Sequence, residues 1–200
     1  LGKKKTDVVT FSNNRIFITL ILQLVFGAMF SLIPPEHILL WLCINIGIAI
    51  VLALVNYVIW VYHKSDSKRY HSLHSFVMLF GFALYMMLPA FRGLYSSSFF
   101  WLLLLVTVAL TGFLIYKYDA VTNAFVNPGD SWFFKLISIF GVTVFLLGGI
   151  LWAYMNATET GPFIPVAIIL FFIGFFILML SPIMLATPER VEELRQRKYQ

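Results

Sequence analysis

Six continuous apolar runs, at 16–33, 38–62, 73–91, 99–116, 134–155 and 163–186, occupy most of this 200-residue chain. A helix needs about 20 predominantly apolar residues to cross a hydrocarbon core about 30 Å thick, and each run meets that requirement within the usual scatter. The runs do not alternate apolar with polar. Backbone in lipid must also satisfy its hydrogen bonds within a helix or a closed barrel, so helices are expected and strands are not. The sequence therefore predicts an all-α, polytopic membrane helix bundle with six transmembrane helices over 16–186. A basic segment at 1–15 precedes it and a charged tail at 187–200 follows.

Composition removes the soluble alternative. Charged residues make up 12% of the chain and hydrophobic residues 60%, against about 25% charged in a soluble domain, too little charge to cover a water-facing surface. The net charge of +5 raises the question of nucleic acid, but the cations fall in short clusters between apolar runs rather than along one stripe. That arrangement predicts membrane topology and no nucleic-acid partner.

The same clusters set an orientation. Counted by loop, 13 of the 14 Lys and Arg residues fall on one side and only Arg92 on the other. Cytoplasmic loops carry the excess of Lys and Arg, so both termini are expected inside, N-in and C-in, in a plasma membrane of bacterial type. A wrong span count would scramble this alternation. The five tryptophans agree: Trp41, Trp101 and Trp152 fall near the outer ends, Trp60 and Trp132 near the inner ends, as an aromatic belt requires.

Turn chemistry marks the breaks. Pro34 and Pro35 end the first run, Pro89 precedes Arg92 and Gly93 at the end of the third, Asn127-Pro128-Gly129-Asp130 precedes the fifth, and Gly161-Pro162 opens the sixth. Pro182, inside the last run, should kink it, which is tolerated where other groups satisfy the freed carbonyl. The 117–131 connection reads as a linker with a turn at Pro128-Gly129. In the tail, Thr187 reads as an N-cap and Pro188 as the first helical residue of a short charged helix, with Glu193 and Arg197 paired at i, i+4.

No ionisable group falls at a span centre, which argues against proton or sodium coupling, voltage sensing and a retinal counter-ion. The mid-membrane polar groups are mild, among them Gln23, Asn45, Asn56, Tyr85, Thr107, Thr111 and Ser181. Interhelical hydrogen bonds explain most of them. Gln23 and Asn45, with Thr107 and Thr111, are also the candidate lining of a polar path for a neutral or amphiphilic solute, since an amide offers donors and acceptors together.

His63, His71 and His74, with Asp66 in the short loop between them, are weak candidates for a zinc site or for haem ligation near the cytoplasmic face. The plainer reading is a set of interfacial residues in a basic loop. No nucleophile elbow, His-Glu-x-x-His or phosphate-binding loop is present, so catalysis is not expected. The leading expectation is a non-catalytic subunit or accessory component of a membrane assembly, with lipid and either a membrane-protein partner or a second copy as neighbours. A small transporter or channel is the alternative, and metal or haem binding a second one.

Overall fold

The apolar runs become long helices, and several of their ends fall where a side chain supplies a cap. The computed structural model describes residues 8–158 and 163–196, so the Lys3–Lys5 cluster, the Gly161-Pro162 break and the expected Glu193–Arg197 pair lie outside the described residues. Eight helices are present among the described residues: α1 (Ile16–Ser31), α2 (Ile38–His63), α3 (Ser67–Leu94), α4 (Ser98–Tyr116), α5 (Tyr118–Val126), α6 (Trp132–Thr158), α7 (Phe163–Leu180) and α8 (Pro188–Gln196). Two 3-10 turns, Phe11–Asn13 and Ser181–Leu185, extend α1 and α7, and no strand occurs among the described residues. Six of the helical segments are long and apolar enough to cross a membrane.

Caps explain several boundaries. Asp66 accepts from the Arg69 N–H at the start of α3, Ser97 from the Phe99 N–H at the start of α4, and Thr187 from the Arg190 N–H at the start of α8. The tail therefore opens as its sequence predicts. Within the described residues Arg190 meets Glu193 at 2.7 Å and Asp119 at 3.1 Å. The hydrogen bonds it donates to Asp119, ahead of that to Glu193, hold the Arg190 pKa above its ordinary value.

Two expectations need correction. The third helix does not end near Phe91 but continues through Pro89 to Leu94, which places Arg92 in its last turn instead of beyond it. A helix tolerates proline at membrane depth because the alternative, unwound backbone in lipid, is worse. The 117–131 connection is not a plain linker, since it holds α5, with Val121, Thr122 and Ala124 buried. Its apolar face completes a cluster with Leu114 of α4, Phe133 and Ile137 of α6, and Met179 of α7.

α3 is the axis of the bundle. It packs along α7, where Ala83 and Met87 meet Leu178, and it also touches α1, α2 and α4. The approach to α7 is close enough that a Cβ on Gly174 would lie 2.8 Å from the Ala83 carbonyl oxygen. At Pro182, which cannot donate to the Leu178 carbonyl, the Ser181 hydroxyl donates to it instead at 3.0 Å. The α-helix passes there into the 3-10 turn, whose Met184 and Leu185 carbonyls accept from Ser72 and Arg69 of α3, both at 2.6 Å.

The start of α1, the α2–α3 loop, α5 and α8 thus gather at one end of the bundle, here the basic end. The α1–α2 and α3–α4 turns lie at the opposite end.

Candidate functional site

Three helices meet around the polar residues that the sequence singles out in α1 and α2. Asn45 of α2 is buried and donates through Nδ2 to the Gly27 carbonyl at 2.9 Å and to the Ser31 hydroxyl at 2.7 Å. Ser31 in turn donates to the Gly27 carbonyl at 2.7 Å, and the Tyr85 hydroxyl of α3 donates to the Asn45 carbonyl at 3.1 Å. One turn deeper, Gln23 donates through Nε2 to the Met78 carbonyl of α3 at 3.1 Å. Each of these bonds crosses between helices or supports one that does, and in an apolar surround each contributes about 0.6–2 kcal/mol.

The packing around these groups is tight. A Cβ on Gly27 would lie 3.1 Å from the Asn45 Cβ and 3.3 Å from the Tyr85 ring. At Gly81 of α3 a Cβ would meet Leu52 at 2.4 Å and the Gln23 amide at 2.9 Å. A Cβ there would have to displace the ends of the Leu52 and Gln23 side chains. Among the described residues the amide oxygens of Gln23, Asn45 and Asn56 and the Thr107 hydroxyl are buried without a hydrogen-bond partner.

The structure brings Gln23 and Asn45 into one seam but sets Thr107 and Thr111 on α4, which packs against α3, α5 and α7. Thr111 donates to the Thr107 carbonyl of its own helix at 2.7 Å.

The strongest polar feature is Arg92. It is 9% exposed, and its guanidinium donates to five backbone carbonyls at the end of α1 and the turn beyond it. Nη1 reaches Phe30, Ser31 and Ile33 at 2.9–3.1 Å, while Nη2 reaches Pro34 and Glu36 at 2.8 and 2.7 Å. A helix C-terminus leaves its last carbonyls unsatisfied and carries partial negative charge, so a buried cation is the natural cap. Trp41 of α2 lies over the same guanidinium, 4.8 Å from ring centroid to Cζ. One side chain of α3 thereby fixes the α1–α2 turn.

In the sequence, Arg92 stands out only as the one cation on its side of the charge count.

At the basic end the histidines do not converge. His63 faces the Ile59 carbonyl of its own helix at 3.2 Å, and His74 lies 3.4 Å from the Tyr70 hydroxyl. Asp66 is engaged in capping α3. Among the described residues no group of three His, Cys, Asp or Glu side chains is placed to hold a metal ion. Tyr70 is fully buried and donates to the Asn14 carbonyl, which ties α3 to the segment before α1. No known protein family, curated protein or solved structure matches this chain.

The N-terminal segment is itself part of the fold. The Val9 N–H donates to the Lys64 carbonyl at 2.8 Å, and the Trp60 indole donates to the Val9 carbonyl at 2.9 Å. Two of the five tryptophans thus hold chain segments together, Trp60 here and Trp41 on Arg92.

The arrangement is rich in hydrogen bonds that join helices.

Proposed function

We propose that this chain is a multi-pass plasma-membrane protein that crosses the bilayer six times, with the basic end in the cytoplasm. It serves there as a non-catalytic component of a membrane assembly. The charge count and the exposure of large apolar side chains on α2, α4 and α6 support the first part.

One observation carries the second. α6 is 27 residues long, yet its only buried residues are Phe133 and Ile137 near its start. From Ser138 onward the helix stands against its neighbours without burying a residue, and Phe145 is 82% exposed. A Cβ on Gly148 or Gly149 would meet nothing within 4 Å. Glycine in a helix interior costs about 1 kcal/mol relative to alanine, and in membranes small residues let a second helix approach closely. The α6 flank suits a helix from outside this chain.

Affinity purification of the full chain from its native membranes, with a photo-crosslinker placed at Phe145, tests this. A stoichiometric crosslinked neighbour is expected, either another membrane protein or a second copy. An isolated monomer, crosslinked to lipid alone, would overturn the assembly reading.

A further inference from the structure

Three arginines in well-defined surroundings differ in what engages them. Both terminal nitrogens of Arg92 are engaged by carbonyls, and Arg190 is paired with Asp119 and Glu193. Arg15 is exposed, and its side chain makes no hydrogen bond or ion pair with the described residues. It also sits in the left-handed region at φ 58°, one of only two non-glycine residues among those described to do so. That conformation costs of order 1 kcal/mol for a side-chain-bearing residue and is retained where the surroundings impose it.

Arg15 lines two cavities at once. One, about 410 Å³, lies between the N-terminal segment and the start of α3, with Ser12, Asn13, Ser67 and His71 as its other polar walls. The second, about 470 Å³, is walled by apolar residues such as Phe11, Ile16, Phe17, Leu20 and Tyr57. Ser12, Arg15 and Ile18 belong to both, so the cavities adjoin.

Neither cavity has an acidic wall among the described residues. Among the described residues the nearest carboxylate in sequence, Asp66, is turned to the Arg69 N–H. The polar cavity therefore offers a guanidinium, two hydroxyls, an amide and an imidazole, with Lys64 and Lys68 close by in sequence. This donor set suits a phosphate: guanidinium bonds to it are charge-assisted, and hydroxyls add neutral ones.

The apolar cavity beside it, along the exposed faces of Phe17 and Ile18, suits an acyl chain and not water. The cleft at the opposite end, about 500 Å³ around Arg92, lacks this logic because both terminal nitrogens of its cation are already engaged by carbonyls and Glu36 is one of its walls.

We propose that the paired cavities at the basic end hold one anionic phospholipid, its phosphate against Arg15, Ser67 and His71 and one acyl chain along Ile16 to Leu20. The proposal rests on the membrane reading above for the source of the lipid.

It is tested on the full chain in detergent by native mass spectrometry with three probes: a short-chain phosphatidylglycerol, the phosphatidylcholine of the same chains, and glycerol phosphate. The phosphatidylglycerol should bind one to a chain, at least about tenfold more tightly than the phosphatidylcholine. Arg15→Gln should weaken it about fivefold, near what one cation contributes at an anionic surface. His71→Gln should weaken it less, and Arg15→Lys should retain most of it.

Equal binding of the two lipids would overturn the proposal. So would an equal loss in Arg195→Gln, a charge control elsewhere at the same end, or phosphatidylglycerol binding unchanged in both Arg15→Gln and His71→Gln. Glycerol phosphate binding as tightly as the lipid would overturn the acyl half. A thermal unfolding scan of each variant separates lost binding from lost fold, and the topology measurement that closes the Discussion tests the membrane reading independently.

Discussion

α3 and α6 are of nearly equal length, 28 and 27 residues, and could hardly be used more differently. α3 buries nine residues, among them Tyr70, His74, Tyr85 and Arg92, and touches most of the bundle, whereas α6 buries two. Of the pair, the less apolar helix is the one inside. In water the ordering would be reversed. When lipid is the solvent, apolar side chains gain nothing by leaving it, so the bundle centre goes to the helix whose polar groups need protein partners.

That contrast can be broken by substitution, and the largest effect should come from Arg92. Arg92→Leu removes five donated bonds at the end of α1 and the turn beyond it. Unfolding in detergent should show a loss of about 3 kcal/mol or more, given what bonds to a charged group contribute. Arg92→Lys, with fewer donors and no planar fork, should recover only part of that. At Phe145 of α6, truncation to alanine should leave the isolated chain unchanged.

Glycines sharpen the same comparison. Gly174→Ala presses a methyl against the Ala83 carbonyl and should destabilise by about 1–3 kcal/mol. Gly148→Ala on α6 meets nothing in this chain, so helix propensity alone should stabilise it by up to about 1 kcal/mol. Thermal unfolding of the two variants side by side reads the sign difference.

Smaller effects follow. Asn45→Ala removes two bonds to α1 and should cost about 1–2 kcal/mol in the same assay. Asp119→Ala, which breaks a half-exposed pair between α5 and α8, should cost about 0.5 kcal/mol, and less in high salt.

The six spans were legible in the sequence because apolar length is a strong and local signal, and each expected span has its helix within a few residues at the ends, apart from α3. That helix begins six residues earlier than its apolar run, at the Asp66 cap. The polar residues Ser67–Ser72 are invisible to a hydropathy reading yet are held by the fold.

α5 escaped for a related reason. Nine residues of mixed polarity between Lys117 and Asn127 carry too short a pattern to distinguish a helix from a linker, and only the cluster with Leu114, Ile137 and Met179 fixes it.

Asn45 and Gln23 were identifiable as buried amides, but not their partners, because the Gly27 and Met78 carbonyls are backbone atoms that no side-chain pattern announces. Arg15 carried no signal of its own among the other basic residues. Its distinction is the company it keeps in three dimensions, together with the absence of any side-chain bond to it within the described structure.

The central claim, that the chain crosses a bilayer six times and keeps its basic end on one side, is tested most directly by cysteine accessibility. Cys43 is exposed and must first become alanine. Single cysteines are then placed at Ser96, Asp130 and Glu192, all exposed positions, and treated with a membrane-impermeant maleimide. Ser96→Cys should label in intact cells, and Asp130→Cys and Glu192→Cys only after the membrane is opened. Labelling of Ser96→Cys and Glu192→Cys from the same side would contradict the account.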